Sequence, residues 1–196
     1  MKIIKKAEFL KSASSFESYK GFKLPEIVLV GRSNVGKSSI INMLSNNSKL
    51  AKVSATQGKT KLVNFFKFND EFILVDLPGY GYATVGKDER EKWSKLIDSY
   101  FQTSRNIKSA VLLVDIRHKP TEQDIQMLEY FVYHNIPVTI VATKYDKIKK
   151  SEKQSKILTI ANTFNMGIDN IYLTSSETSF GKDALVDRIY QFVDGV

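Results

Sequence analysis

Apolar positions along this chain follow two different spacings. Short, nearly continuous apolar runs predict buried strands, because a strand covered on both faces shows no polar alternation. These runs predict strands at about 26–31, 61–68, 71–76, 109–115, 137–142 and 170–174. Elsewhere apolar residues recur every three or four positions, as in helices with one buried face. This spacing predicts helices at about 37–46, 87–104, 121–134, 151–164 and 181–193.

The order of these elements predicts the fold class. Strands that alternate with helices favour βαβ crossovers and a three-layer α/β/α fold with a mostly parallel sheet. Asn69 and Asp70 lie between two strand-like runs and predict a hairpin, which makes one edge strand antiparallel. We therefore expect a six-stranded sheet in one domain over residues 25–196. Residues 1–24 are expected to form a basic N-terminal extension, with room for one further strand, that packs on the domain through Phe9 and Phe16.

A phosphate-binding loop follows the first predicted strand. The pattern G-x-x-x-x-G-K-[ST] places backbone N–H groups around phosphates at the positive end of a helix. In such a loop Lys37 reaches the β- and γ-phosphates, and the Ser38 hydroxyl can bind magnesium. The loop residues predicted to bind nucleotide are Gly31, Arg32, Ser33, Asn34, Val35, Gly36, Lys37 and Ser38.

A Thr-Lys-x-Asp segment predicts which base is bound. The carboxylate of Asp146 can accept hydrogen bonds from guanine N1 and the exocyclic amine, a pair of donors that adenine lacks. The stem of Lys144 can lie along the face of the base. The segment follows a predicted strand, and ligands of open α/β sheets bind at the carboxyl ends of strands. The predicted guanine-binding residues here are Thr143, Lys144, Tyr145 and Asp146.

A second strand-end segment completes the predicted site. Asp76 can hold magnesium through a water molecule, and the Gly79 N–H can contact the γ-phosphate. A plain turn is the alternative, since proline and glycine favour turns in any protein. The predicted nucleotide-binding residues of this segment are Asp76, Leu77, Pro78 and Gly79.

These segments, with others, resemble the EngB family (YihA or YsxC), bacterial GTPases of the Era, TrmE, EngA and septin-like group. The residues that carry the resemblance are Pro-Glu at 25–26, Gly-Arg-Ser-Asn-Val-Gly-Lys-Ser-Ser at 31–39, Gly-Lys-Thr at 58–60, Asp-Leu-Pro-Gly-Tyr-Gly-Tyr at 76–82, Asp-Ile-Arg-His at 115–118, Asp124 and Thr-Lys-Tyr-Asp-Lys at 143–147. The resemblance implies the P-loop GTPase fold. One departure is Gln57, where the family usually has proline, and this change leaves the loop less restricted.

Further site residues are implied by the resemblance. Five serines and threonines lie between residues 45 and 60, so chemistry alone does not select the threonine that closes over magnesium. The family implies Thr60, and it gives Ser38 and Thr60 as magnesium ligands. The additional nucleotide-binding residues are Gly58, Lys59, Thr60, Lys61 and Leu62, with the base-contacting loop Ser175, Ser176 and Glu177.

The sequence also predicts the rate of hydrolysis. Many GTPases have a water-orienting glutamine after D-x-x-G, and this chain has Tyr80 there, so we expect slow intrinsic turnover. Asn34 either shapes the loop or, as in related potassium-activated GTPases, helps to coordinate K⁺. The predicted catalytic residues are Lys37, Asn34, Thr60 and Gly79. Tyr80 and Tyr82 are hypothesised to contact a partner when GTP orders their loop.

The net charge of the chain indicates the kind of partner that it binds. The 29 Lys and Arg exceed the 21 Asp and Glu, and the net charge of +8 favours a polyanion such as RNA. A solvated lysine-rich surface is the alternative. The chain has no cysteine, no apolar run long enough for a membrane span and no signal-peptide core, so we expect a cytoplasmic monomer that does not bind membranes.

The expected function is that of a GTP-binding switch with slow GTPase activity, using Mg²⁺, GTP and GDP. The EngB resemblance implies a role in assembly of the large ribosomal subunit, through rRNA and ribosomal proteins, and in cell division and septation. A signalling switch that acts on protein partners without RNA is one alternative. A P-loop kinase or ATPase is another, and Thr-Lys-x-Asp argues against it.

Overall fold

The computed structural model describes residues 2–16, 21–52, 62–81 and 86–195. Within these ranges the chain forms seven strands and five α-helices. The strands are β1 (Ala7–Ala13), β2 (Glu26–Gly31), β3 (Val63–Phe68), β4 (Phe72–Asp76), β5 (Ile107–Asp115), β6 (Val138–Thr143) and β7 (Ile171–Leu173). The helices are α1 (Lys37–Ser45), α2 (Lys87–Thr103), α3 (Glu122–Tyr133), α4 (Lys153–Thr163) and α5 (Lys182–Val193).

All seven strands belong to one sheet, in the order β1-β3-β4-β2-β5-β6-β7. The pairs β4–β2, β2–β5, β5–β6 and β6–β7 are parallel, while β3 runs antiparallel to both β1 and β4. The β3–β4 hairpin turns at Asn69 and Asp70, which both have positive φ, as a tight hairpin requires. The α/β class, the mostly parallel sheet and the antiparallel pairing near one edge are confirmed.

The predicted count of six strands is one short. Residues 7–13 supply the extra strand, which pairs with β3 from Ala7 opposite Phe68 to Ala13 opposite Val63. This pairing joins segments that are far apart along the chain, so local spacing alone did not require it. Phe16, which follows β1, is 2% exposed and packs 5.4 Å from the ring of Tyr100. The domain boundary at residue 24 stays a prediction.

The sheet separates two hydrophobic cores. Successive residues of β2 point to opposite faces, so Ile27 and Leu29 enter one core while Val28 and Val30 enter the other. Because both faces are covered, β2 is buried along its whole length. The continuous apolar runs in the sequence have this origin. Among the helices that the structure describes, none is both long and apolar enough to cross a membrane.

Candidate nucleotide-binding site

The predicted phosphate loop connects β2 to α1 at the carboxyl end of the sheet. Gly36, immediately before α1, has φ 113°, a conformation that L side chains rarely adopt. Among the described residues no side chain caps α1, so the N–H groups of its first turn are available to a ligand. The local geometry is therefore that of a helix start to which an anion could bind, and phosphate binding by this loop stays a prediction.

The segment after β4 lies against this loop. The Leu77 N–H donates to the Leu29 carbonyl at 3.0 Å, and the Ser33 N–H donates to the Tyr80 carbonyl at 2.9 Å. A Cβ on Gly79 would lie 3.0 Å from Lys37 Nζ and 3.1 Å from the backbone nitrogen of Ser33, so a larger residue here would push against both the lysine and the phosphate loop. The structure thus brings Lys37 and Gly79 together.

Asp76, at the end of β4, is a buried carboxylate with one unpartnered oxygen. Its Oδ2 accepts from Asn64 Nδ2 at 3.3 Å, while Oδ1 has no hydrogen-bond partner among the described residues. Burial raises the pKa of this carboxyl, against the smaller opposing effects of Lys37 and Asn64. A buried oxygen of this kind suits a cation or a cation-bound water.

The donor set fits magnesium. Asp76 and the Ser38 hydroxyl offer hard oxygen ligands, which Mg²⁺ prefers, and it commonly binds one or two protein groups together with phosphate oxygens and water. In the described ranges there is no group of three or more His, Cys, Asp or Glu that could hold a metal alone. A magnesium ion here would therefore depend on the nucleotide as well as on the protein.

Tyr80 faces the protein interior. It is 8% exposed, its hydroxyl donates to Asp124 Oδ1 at 2.7 Å, and its ring packs edge-on against Trp93. The indole N–H of Trp93 in turn donates to the Pro78 carbonyl at 2.8 Å. The side chain is therefore taken up by the core here, and the hypothesis that Tyr80 contacts a partner when GTP orders its loop stays a prediction. Tyr82 lies outside the described residues.

The base-recognition segment is bonded to the phosphate loop. Thr143 Oγ1 donates to the Val35 carbonyl at 2.7 Å. Lys144 has φ 62°, and its Nζ donates to the Asn34 carbonyl at 2.8 Å. These contacts hold the lysine stem across the space between the two segments, where it can lie along a base.

Asp115, at the end of β5, anchors the same lysine. Its Oδ2 lies 2.9 Å from Lys144 Nζ and 2.7 Å from an Arg117 guanidinium nitrogen. Burial opposes ionisation of this carboxyl, but the hydrogen bonds from Arg117 and Lys144 outweigh it and lower its pKa to about 2. Sequence reasoning gave Asp115 no role in the site. Its place at the carboxyl end of a central strand was the available signal.

Asp146 and the loop after β7 form the far side of the base pocket. The Asp146 side chain is 16% exposed. Burial would raise its pKa, but hydrogen bonds from Ser175 and Lys147 lower it, so the carboxylate is charged and ready to accept. The Ser175 N–H donates to the Phe180 carbonyl at 3.0 Å, which closes the loop that carries Ser176 and Glu177. A Cβ on Gly181 would lie 1.9 Å from the Leu173 carbonyl oxygen, so this closure requires glycine.

Not all of the predicted site residues are among those that the structure describes. Gly58, Lys59, Thr60 and Lys61 are outside the described residues, and their roles stay predictions, as does the role of Gln57. Leu62 is described and is 39% exposed just before β3. The remaining predicted residues gather at the carboxyl edge of the sheet, around the phosphate loop and the two base-binding segments.

Three elements on this mostly parallel sheet together define a P-loop GTPase. They are the phosphate loop before α1, the strand-end aspartate of β4 and the Thr-Lys-x-Asp segment that begins at the end of β6. Residues 26–144 match the family described as "50S ribosome-binding GTPase". The chain is 44% identical over 191 residues to the "Probable GTP-binding protein EngB" of Pelotomaculum thermopropionicum, covering 97% of this chain and 96% of that protein. It is 49% identical over 188 residues to the protein of the same description from Clostridium acetobutylicum, covering 95% and 94%.

A crystal structure of a probable EngB GTP-binding protein has the same fold. It matches with a TM-score of 0.74 at 25% identity, covering 87% of this chain and all of that one. The chain therefore belongs to the EngB family of GTP-binding proteins, and it is a GTPase.

Proposed function

We propose that this GTPase is a slow GTP-dependent switch in assembly of the large ribosomal subunit, required for normal cell division and septation. The observation that carries the proposal is the match of residues 26–144 to a family described as ribosome-binding. The net charge of +8 supports a polyanionic partner, because cations that contact RNA phosphates release condensed counterions. The protein acts in the cytoplasm as a monomer, with residues 1–24 as an extension of the domain.

Nucleotide binding is divided among the residues around the loop. The backbone N–H groups of residues 31–38 and the Lys37 ammonium bind the phosphates, and the Gly79 N–H contacts the γ-phosphate. Asp146 accepts from guanine, with Ser175 and Lys144 holding the base from two sides. Ser38 and Thr60, with Asp76 through water, are the residues that would hold magnesium. Bound there, the ion would neutralise charge on the phosphates.

Slow turnover is supported by the environment of Tyr80. A glutamine at this position would orient the attacking water, whereas the Tyr80 hydroxyl donates to Asp124 and the ring is buried. Purified protein alone should therefore turn over far more slowly than about one GTP per second, near the rates of about 10⁻⁴ s⁻¹ typical of unassisted Ras-type GTPases. Single-turnover assays with purified protein measure this rate.

Potassium stimulation is a separate part of the proposal and depends on Asn34. This residue has φ 62°, so alanine there would strain the loop, while glycine removes the side chain and keeps the backbone. We expect faster hydrolysis in KCl than in NaCl, and Asn34→Gly should abolish the difference. Equal rates for the parent protein in both salts would remove the potassium role.

Cosedimentation with ribosomal subunits tests the cellular role. Protein loaded with GDP or a non-hydrolysable GTP analogue is sedimented with large and small subunits across a salt series. Binding to the large subunit or its precursors only in the GTP-like state is the expected result. If the protein binds neither subunit in either state, the assembly role fails and a signalling switch with protein partners becomes the better proposal.

A further inference from the structure

An exposed aromatic stack lies on the outer side of the base-binding loops. The rings of Tyr145 and Phe180 stack with centroids 5.0 Å apart and planes at 21°. Phe180 nevertheless keeps 50% of its surface exposed. Lys153 Nζ sits 3.9 Å from the centroid of the Tyr145 ring, so a cation is held against the stack.

Two further lysines, Lys150 and Lys156, belong to the same segment as Lys153. Lys156 is on the same face of α4 as Lys153, three residues further on, and its Nζ donates to the Arg117 carbonyl at 2.7 Å. Lys150 is exposed in the short 3-10 turn that precedes α4. Glu152 in that turn accepts from the Lys149 N–H, and its single negative charge offsets only part of the charge of the three lysines. We call Tyr145, Phe180, Lys150, Lys153 and Lys156 the Tyr145 surface.

We propose that the Tyr145 surface binds a single-stranded segment of RNA. An exposed aromatic ring offers a face on which a base can stack, and neighbouring lysines can follow a phosphate backbone. The sequence shows no aromatic residues interleaved with these lysines, because Tyr145 and Phe180 are far apart along the chain and meet only in the fold. A lipid surface fits poorly, since the cations border two aromatic rings rather than a broad apolar face.

The position of this surface connects RNA to the nucleotide. Tyr145 lies between Lys144 and Asp146, and the Phe180 carbonyl accepts the N–H of Ser175. A base stacked on Phe180 would therefore stabilise the loops that hold guanine. This inference rests on the proposed ribosomal function and names the surface through which RNA would be contacted.

Two variants with matched controls test the proposal. Phe180→Ala is compared with Tyr133→Ala, which removes another exposed aromatic side chain, 82% exposed on α3. A double variant that carries Lys150→Gln and Lys153→Gln is compared with a control double variant that carries Lys95→Gln and Lys108→Gln. Both control lysines are exposed and lie outside the Tyr145 surface. Each protein is titrated with a fluorescent twelve-nucleotide oligouridylate and, separately, with purified large subunits, at several salt concentrations.

We expect Phe180→Ala to weaken oligouridylate binding by about fivefold or more, because stacking contributes about 1 kcal/mol or more per base. The lysine pair should reduce the salt slope by about 0.7 for each phosphate that is no longer neutralised. Affinity for GDP, measured in parallel, reports whether the base loops remain intact. The lysine pair gives an independent test if Phe180→Ala disturbs them.

The outcomes separate this inference from the proposed function. If the parent protein binds large subunits and both test variants bind subunits and oligouridylate as tightly as their controls, RNA binding by the Tyr145 surface is overturned. The proposed ribosomal role then still stands. Oligouridylate binding that depends on Phe180, without subunit binding, supports the surface and overturns the ribosomal role. Subunit binding that survives in the variants and resists nuclease indicates a protein contact and also overturns the surface.

Discussion

The base side and the phosphate side of the nucleotide site differ in how their polar groups are satisfied. On the base side, Lys144 is bonded to Asn34 and Asp115, and Thr143 is bonded to Val35. On the phosphate side, Asp76 Oδ1 is buried with no hydrogen-bond partner in the described part of the chain. The base side is therefore preorganised by the protein, while the phosphate side retains a carboxylate oxygen that a bound ligand would satisfy.

The two strand-end carboxylates show this contrast most directly. Hydrogen bonds from Arg117 and Lys144 overcome burial and lower the pKa of Asp115 to about 2. At Asp76 burial outweighs the smaller effects of Lys37 and Asn64 and raises the pKa of the carboxyl. A preorganised base side recognises guanine at little cost in reorganisation, whereas the phosphate side gains stability when phosphate and a cation arrive.

The largest expected effect comes from breaking base recognition. Asp146→Asn replaces an acceptor with a group that also donates, so the guanine N1–H and amine lose their carboxylate partner. We expect GDP affinity to fall by about 10²-fold, because two hydrogen bonds to a charged group are removed. Titrations with fluorescent GDP and XDP measure the change, and xanthine, with a C2 carbonyl, should bind the variant better. An unchanged GDP affinity would contradict the assignment of Asp146.

Asp115→Asn breaks the preorganisation of the same side. Lys144 then lacks its ionic anchor, and we expect GDP to dissociate about 5- to 20-fold faster, equivalent to about 1–2 kcal/mol. Stopped-flow displacement of fluorescent GDP measures the rate, with Asp169→Asn on an exposed turn as control. Dissociation at the parent rate would show that Lys144 is held adequately by Asn34 alone.

The depressed pKa of Asp115 also predicts a pH dependence of stability. Its folded-state value of about 2 lies below the ordinary 3.8. The charged form therefore stabilises the fold above about pH 4, and this contribution disappears as the pH falls from 4 toward 2. Urea unfolding of the parent and Asp115→Asn proteins should differ by about 1–2 kcal/mol at pH 5 and converge near pH 2. A constant difference would contradict the ion-pair environment.

Asp76→Asn tests the phosphate side of the site, and we expect it to raise the stability of the protein, whereas Asp115→Asn lowers it. The raised pKa means that burial disfavours the charged carboxylate, so a neutral amide should raise the Tm of the nucleotide-free protein by about 3–6 °C. The same variant should lose the further rise that magnesium gives to GDP-bound protein. Calorimetry with and without Mg²⁺ measures both effects. A lower Tm for nucleotide-free Asp76→Asn would show that the carboxylate is already satisfied.

The smallest expected effect concerns Tyr80. Tyr80→Phe removes the hydrogen bond to Asp124, which also accepts from the Thr121 N–H at the start of α3. A destabilisation of about 1 kcal/mol should lower the Tm by about 2–4 °C. Tyr133→Phe, at a largely exposed position, serves as the control and should leave the Tm unchanged. A Tm for Tyr80→Phe equal to the parent value would mean that the buried bond contributes nothing.

Local sequence patterns predicted most of the fold and the main site segments. The observed helices begin and end within about two residues of their predicted bounds, because each carries its own apolar spacing and end signals. The phosphate loop and Thr-Lys-x-Asp were found because each combines fixed residue types with a strand immediately before it. Both depend on chemistry within a few consecutive residues.

Features that join distant parts of the chain were missed. The pairing of β1 with β3, the anchoring of Lys144 by Asp115 and the stack of Phe180 on Tyr145 each require the folded sheet to bring separate segments together. The interior position of Tyr80 was missed for a related reason. Its partner Asp124 belongs to a helix that follows a later strand, and a glycine-rich neighbourhood suggested an exposed loop.

The indole of Trp93 gives this protein a built-in optical reporter. It is the only tryptophan in the chain, and its N–H is bonded to the Pro78 carbonyl in the segment that contacts the phosphate loop. Tryptophan emission depends on hydrogen bonding and solvent access around the ring. Any rearrangement of residues 76–79 on nucleotide exchange can therefore be followed in unlabelled protein, in real time, by intrinsic fluorescence.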